Sequence, residues 1–243
     1  MKIAILHLGN MSQLIPATSV IKGIKKQDID TDITLIVAKN SFFCLGKYNN
    51  DINRMISIQD FAKEKKTYDL LINLYSYFPE NLKTNAIIKE ATGFCFCNEY
   101  DKFKGVFSGK SSFLDMNIFQ LYYKLCGLTW KGEGYDIKYY PKTKEIKKRI
   151  GLYVSDANLR NYVLDNLKTD GMKIWYIPYR KNIFKKIDEI NRCKKIITDD
   201  MTTFYLSGAF RKYVYYLKKF PLNVNLEFFG NGEIYDVPIT IFQ

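Results

Sequence analysis

The stretch ITDDMTTFYLSGAFRKYVYYL, residues 197–217, constrains the fold more than any other part of this 243-residue chain. An apolar run, KKIIT, ends in two acids, a segment rich in small residues follows, and a second apolar run, YVYYL, closes the unit. That order reads as strand, helix, strand, the signature of two parallel neighbours joined by a crossover. A buried strand that stops at Asp199-Asp200-Met201-Thr202-Thr203 and turns into a helix aims backbone N–H groups and hydroxyls at one spot. In a parallel sheet that spot is the carboxyl edge, where open α/β folds bind their ligands. The positive end of the helix favours anions there, phosphates above all.

The same alternation runs along the whole chain. Short β-branched runs at 2–6, 33–37, 55–58, 68–75 and 93–97 read as strands, and helical apolar spacing covers 14–26, 82–90 and 113–126, the last stopped by Gly127. A second cycle follows a basic, Pro-containing stretch. Its strands fall at 150–154, 173–178, 195–198 and 213–217, and its helices at 157–167, 182–192 and 202–210, the first ending before Asp170-Gly171. The tail, 221–243, reads as loops and edge strands. The expected class is α/β and GT-B-like: two Rossmann-like parallel-sheet domains facing a cleft. The first spans 1–140 and the second, shorter one 150–243, with 141–149 a basic linker.

Apolar residues make up 47% of the chain, enough for a packed core and against disorder. The net charge of +12 draws the protein to something anionic: nucleic acid, anionic lipid or a phosphorylated substrate. Lysine far outnumbers arginine, which occurs only at 54, 149, 160, 180, 192 and 211. With the abundance of Asn and Ile, that usage also fits an AT-biased genome, so charge alone is a weak signal and no nucleic-acid partner is expected. The basic runs KYYPKTKEIKKR (138–149) and KYVYYLKKF (212–220) interleave Tyr and Phe with Lys, a pattern suited to peripheral contact with an anionic inner membrane face. Each also reads as a solvated linker or a buried strand.

The five cysteines, Cys44, Cys95, Cys97, Cys126 and Cys193, form no CxxC pair and no zinc spacing. They read as buried free thiols in a reducing cytoplasm. One histidine, His7, argues against a His-based metal site, and Asp199 and Asp200 project to different sides of a strand end, so no metal is expected. No apolar run approaches the roughly 20 residues of a bilayer span, and IAIL at the N-terminus is too short for a signal-peptide core. The expected location is cytoplasmic.

Two segments carry chemistry. HLGNMSQLIP, His7 to Pro16, joins the first strand to the first helix: Gly9 permits a tight turn, and Asn10 and Ser12 can cap the helix. It lacks both the G-x-G-x-x-G and the P-loop fingerprints, which disfavours nicotinamide oxidoreductases and P-loop ATPases. In the second segment Asp200 can cap while Thr202 and Thr203 fill the first turn. Each segment, taken alone, is equally a plain capped helix.

Together they resemble a family. GNMSQLIP resembles the G-D-x-x-x-x-x-P signature of the lipopolysaccharide heptosyltransferases, glycosyltransferase family 9, with Gly9 and Pro16 matching. DMTTFYLSGAFRK resembles that family's D-T-G-x-x-H-L-A-A-A-x-G-K-P segment, with Asp200, Leu206, Ala209 and Lys212 matching. Between them, YDLLINLY, ATGFCF and FQLYYKLCGL resemble family segments in the same order, so the likeness covers most of 1–217. It implies a GT-B enzyme that inverts a sugar without a metal or other cofactor. The sugar moves from a nucleotide-diphosphate donor to a glycan or a phosphorylated, lipid-linked acceptor of the bacterial envelope. The resemblance sets Asp200, Thr202, Thr203 and Tyr205 at the donor diphosphate, with Lys212 and Arg160 adding charge. It sets Asn10 at the catalytic base position, with His7 as a substitute base and Gly9 and Ser12 on the acceptor side.

The departures are specific. Asn10 replaces the family's catalytic Asp, and an amide is no base. Thr202 and Tyr205 replace its Gly and His. SDANLRN stands where the family carries a lysine-bearing P-G-x-x-x-K-x-W loop, leaving Arg160 as the cation, and the C-terminal half is short. The alternative they support is a catalytically degenerate GT-B-like binding or scaffold protein.

Overall fold

The computed structural model describes residues 1–38, 42–75, 84–94, 116–135, 137–218 and 232–236. The chain divides into two compact units, Met1–Lys138 and Tyr139 onward. Each is an all-parallel sheet covered by helices, the arrangement that strand–helix alternation dictates.

The first unit runs β1 (Lys2–His7), α1 (Met11–Gln27), β2 (Asp32–Val37), α2 (Phe43–Lys47), β3 (Arg54–Ser57), α3 (Ile58–Lys63), β4 (Thr67–Asn73), β5 (Ile87–Gly93) and α4 (Ile118–Leu125). Its sheet order is β3-β2-β1-β4-β5, with the direction of winding reversing between β1 and β4. The central strands are apolar on both faces, as a covered parallel sheet requires: Ile3 to Leu6 and Ile33 to Val37 are almost wholly buried, Thr34 being the one polar residue among them. α1 and α4 pack on each other through an aromatic-on-glycine contact. A Cβ on Gly23 would lie 2.8 Å from the Tyr123 ring, and the Tyr123 hydroxyl donates to the Ser19 carbonyl at 2.8 Å.

The second unit runs β6 (Ile146–Tyr153), α5 (Ala157–Asn166), β7 (Lys173–Tyr176), α6 (Ile183–Asn191), β8 (Cys193–Thr198), α7 (Met201–Ala209), β9 (Tyr213–Lys218) and β10 (Gly232–Asp236). The order β10-β9-β8-β6-β7 reverses direction between β6 and β8. Right-handed crossovers then set α5 on one face and α6 and α7 on the other. The α5 face closes a cluster of Ile150, Leu152, Val154, Leu159, Val163, Ile197 and Leu217.

The structure corrects several boundaries. Residues 87–90, expected to be helical, form β5: Ile87, Ile88, Ala91 and Thr92 suit a helical stripe and a strand equally, and pairing with β4 decides between them. The strand expected at 93–97 therefore ends at Gly93, and Cys95 and Cys97 lie outside the described residues. The helix expected from 113 begins at Ile118, capped by Asn117, with 113–115 outside the described residues. β6 starts at Ile146, four residues before the expected Ile150, because the exposed Lys147 and Lys148 hide the strand pattern. α2 and α3 are too short to show a period. Cys44 and Cys126 are half-buried, and Cys193 is buried. No described helix is long and apolar enough to cross a membrane.

Gly93 closes the edge of the first sheet at φ +105°, where a Cβ would run into the backbone of its register partner Asn73. Gly93→Ala therefore combines an unfavourable dihedral with a backbone clash. The expected cost is on the order of 2 kcal/mol or more, read as a lower urea midpoint with an unchanged m-value.

Candidate functional site

In open parallel sheets the carboxyl edge at the point where winding reverses is where two loops part and leave room for a ligand. Both motif segments fall at such a point, one in each unit.

In the first unit β1 delivers His7, Gly9 and Asn10 to that edge. Asn10 is the N-cap of α1: its side chain accepts from the Gln13 amide at 3.3 Å and from the Ser12 hydroxyl at 2.6 Å. The Gln13 side chain accepts in turn from the Asn10 amide at 3.2 Å, completing a capping box. A Cβ on Gly9 would overlap the Gln13 side chain and the His7 ring, so the tight loop needs glycine. Pro16 sits inside α1 and withholds the amide that would close on the Ser12 carbonyl.

His7 is wholly buried under this loop. Its Nε2 lies 2.9 Å from the Tyr122 hydroxyl, whose ring meets the imidazole edge-on, while Nδ1 is enclosed without a hydrogen-bond partner. Burial drives its pKa down to about 4. The imidazole is therefore neutral at physiological pH and shut off from solvent, a packing role and not the exposed base of the sequence expectation.

In the second unit the loops after β6 and β8 are tied together across the reversal point. Asp199 accepts from the Ser155 amide at 3.0 Å and from its hydroxyl at 2.8 Å. Asp200, one residue on, turns the other way and caps α7, with Oδ2 accepting from the Thr203 amide at 2.7 Å and its hydroxyl at 2.5 Å. The same oxygen takes the Lys186 ammonium at 2.8 Å. Lys186 comes from α6, is itself buried, and stands 4.1 Å from the centroid of the Tyr153 ring. Burial pushes the Asp200 carboxyl up, but the Lys186 charge and the bonds from Lys186 and Thr203 outweigh it and hold the group below the usual carboxylate range. Beside this cluster a pocket of about 330 Å³ opens between Tyr153, Ser155, Arg160, Ile177, Tyr176 and Tyr179. Tyr176 and Tyr179 are exposed at its rim.

This edge thus gathers Asp200, Thr202, Thr203 and Arg160 as the sequence implied, and excludes two others. Tyr205 is buried in the core, packed edge-on against Phe204, because α7 is covered on every side from Thr203 to Gly208. Lys212 precedes β9, at the amino edge, and is buried against Glu145 at 2.6 Å and the Asn191 carbonyl at 3.1 Å. It cannot add charge at the opposite edge. Sequence reading missed Lys186, Tyr153 and Ser155. Lys186 did leave a signal: it occupies the apolar stripe Ile183, Ile187, Ile190 of α6, where a lysine needs a partner. Among the described residues no group of three or more His, Cys, Asp or Glu could hold a metal.

No family model matches the chain, and no curated protein matches it by sequence. Solved structures do. A glycosyl transferase family 9 protein of Veillonella parvula superposes with a TM-score of 0.78 at 13% identity, over 97% of this chain and 86% of that one. The chain has the fold of a family 9 glycosyltransferase. E. coli ADP-heptose lps heptosyltransferase II gives a TM-score of 0.69 at 11% identity, covering 98% of this chain and 91% of that one. The E. coli heptosyltransferase WaaC, solved with ADP-2-deoxy-2-fluoro heptose, gives 0.65 at 12% identity, covering 98% and 94%. Two parallel-sheet units in one chain, GT-B-like, are common to all of them.

The buried His7 makes a test of the site's electrostatics. Its folded pKa, about 4, lies below the ordinary 6.5, so the folded state binds fewer protons between those values. Stability from this group is complete above pH 6.5 and is lost as pH falls toward 4, a change on the order of 3 kcal/mol. Urea unfolding across that range should show the slope in the wild type and a flatter one in His7→Gln.

Proposed function

We propose that the chain is a glycosyltransferase of GT-B type that takes its sugar from a nucleotide-diphosphate donor held at the carboxyl edge of the second sheet. The reading rests on one observation, a shared two-unit fold with a family 9 glycosyltransferase over 97% of the chain. The α7 N-terminus, with the Met201 and Thr202 amides between the Asp200 cap and Thr203, would face the diphosphate. Asp200 contributes by holding that turn and Lys186, since a carboxylate below its usual range repels phosphate. Arg160 adds a cation from the pocket wall. Transfer would be inverting and metal-independent, with backbone amides and cations stabilising the leaving diphosphate. The acceptor would be a glycan or a phosphorylated, lipid-linked molecule, reached from the cytoplasm at the inner membrane face.

A second reading has its own support. Asn10 stands where the resembling family carries its catalytic Asp, its side-chain oxygen is spent on the α1 cap, and His7 below it is buried and neutral. Those three facts favour a protein that binds a nucleotide-sugar without transferring it.

Calorimetric titration with nucleotide diphosphates and nucleotide-sugars separates these readings. Saturable binding, weakened about tenfold in Arg160→Ala, is expected under both; no binding to a folded protein would sink both. Asn10→Asp retains the cap, because a carboxylate accepts the same Gln13 and Ser12 donors. Under the degenerate reading it should raise donor turnover by on the order of 10²-fold or more. Under the transferase reading the wild type already turns over.

A further inference from the structure

We propose that the amino edge of the second sheet, with the groove beside α5, is a docking surface for an anionic lipid bilayer. It stands apart from the donor edge and does not depend on that reading. Lys147 and Lys148 open β6, Lys173 opens β7, Lys194 follows the first residue of β8, and Lys168 follows α5, so all five project at one edge of one sheet. All are exposed, and Ile146 among them is 44% exposed. Among the described residues, Glu145 pairs with Lys212 and Glu189 with Arg180 and Arg192. That leaves the exposed Asp165 and Asp170 on α5 and its turn against the five lysines, with Glu233 a further acid in the sequence of β10. The edge is therefore net positive.

The groove is the independent observation. About 480 Å³ opens on the α5 face of the sheet, floored by Ile150, Ile197 and Leu217 and walled by Val163, Leu167 and Tyr215. Lys168 and Lys195 stand at its amino end, with the single acid Asp170 beside them in the lining. An aliphatic trough whose mouth carries cations fits an acyl chain beneath a phosphate headgroup. Lysine ammoniums are compact point charges on flexible stems, without the planar forks that read bases. The floor beneath them is aliphatic, and the rings in the lining are Tyr162 and Tyr215 on its walls. The cation type and the aliphatic floor together favour a bilayer over a nucleic acid.

Sedimentation of the full chain with phosphatidylcholine vesicles, with and without phosphatidylglycerol, tests the surface. Binding should need the anionic lipid and weaken with salt. Each lysine near a charged surface contributes about fivefold, so Lys147→Glu/Lys148→Glu/Lys194→Glu should lose on the order of 10²-fold with its melting temperature intact. Equal binding to both vesicle types, or an unaffected triple variant, would overturn the proposal. So would salt-sensitive binding to an oligonucleotide without binding to vesicles, which would assign the edge to nucleic acid. Phosphatidylglycerol brominated along its chains probes the groove: Tyr215→Trp should be quenched beyond the wild-type signal, and Leu217→Trp serves if that variant does not fold. Vesicle binding without added quenching would remove the groove from the surface.

Discussion

The carboxyl edge of the second unit depends on one buried ammonium. Lys186 sits on the apolar stripe of α6, where an uncompensated charge would cost several kcal/mol. Asp200 and the Tyr153 face compensate it. The bond therefore does three things at once: it lets α6 pack, it holds the first turn of α7, and it places a cation beside the amides that follow the cap. A neutral cap could do the second of these alone. The ion pair couples the packing of α6 to the charge of the edge, so the helix cannot shift without changing what the edge offers an anion.

The two reversal points handle polarity in opposite ways. In the first unit Asn10 and Gln13 satisfy each other as a capping box, and His7 is stripped of its proton by burial. Among the described residues, the turn from β1 into α1 is thus built from neutral groups. In the second unit two adjacent acids turn apart, Asp199 to the β6 loop and Asp200 to α6 and α7, and draw two loops and a lysine into one network. A neutral turn suits a neutral hydroxyl-bearing partner, and a charged one suits a phosphate. Under the proposed transferase reading the first turn would take the acceptor and the second the donor, and Asn10 and Ser12 offer no base there while His7 is buried.

Much of this was legible in the sequence, because β-branched runs alternating with helical stripes leave few architectures open. Asp200 as a cap and Asp199 turned away from it both follow from their place at a strand end. What failed did so for tertiary reasons. Ile87, Ile88 and Ala91 suit a helix or a strand, and only pairing with β4 decides. Lys212 matched a motif by type, but the turn before β9 buried it against Glu145 at the far edge. Tyr205 matched by position, but α7 is covered on every side there. Lys186 matched nothing, since its partner lies on another helix and no linear pattern joins them.

The distribution of lysine in the second unit has a partial explanation in helix dipoles. Helices in a parallel sheet start at the carboxyl edge and end at the amino edge, so their negative ends gather where Lys168 and Arg192 lie. Asp156, Asn182 and Asp200 cap the positive ends at the other edge, in keeping with the same rule. The dipole acts within about the last turn of a helix, and Lys147, Lys148, Lys173 and Lys194 are on strands. Their charges complement no helix end, and among the described residues none of them is in a salt bridge. They raise self-repulsion at one edge with no ion pair there to offset it, which the proposed anionic surface would supply.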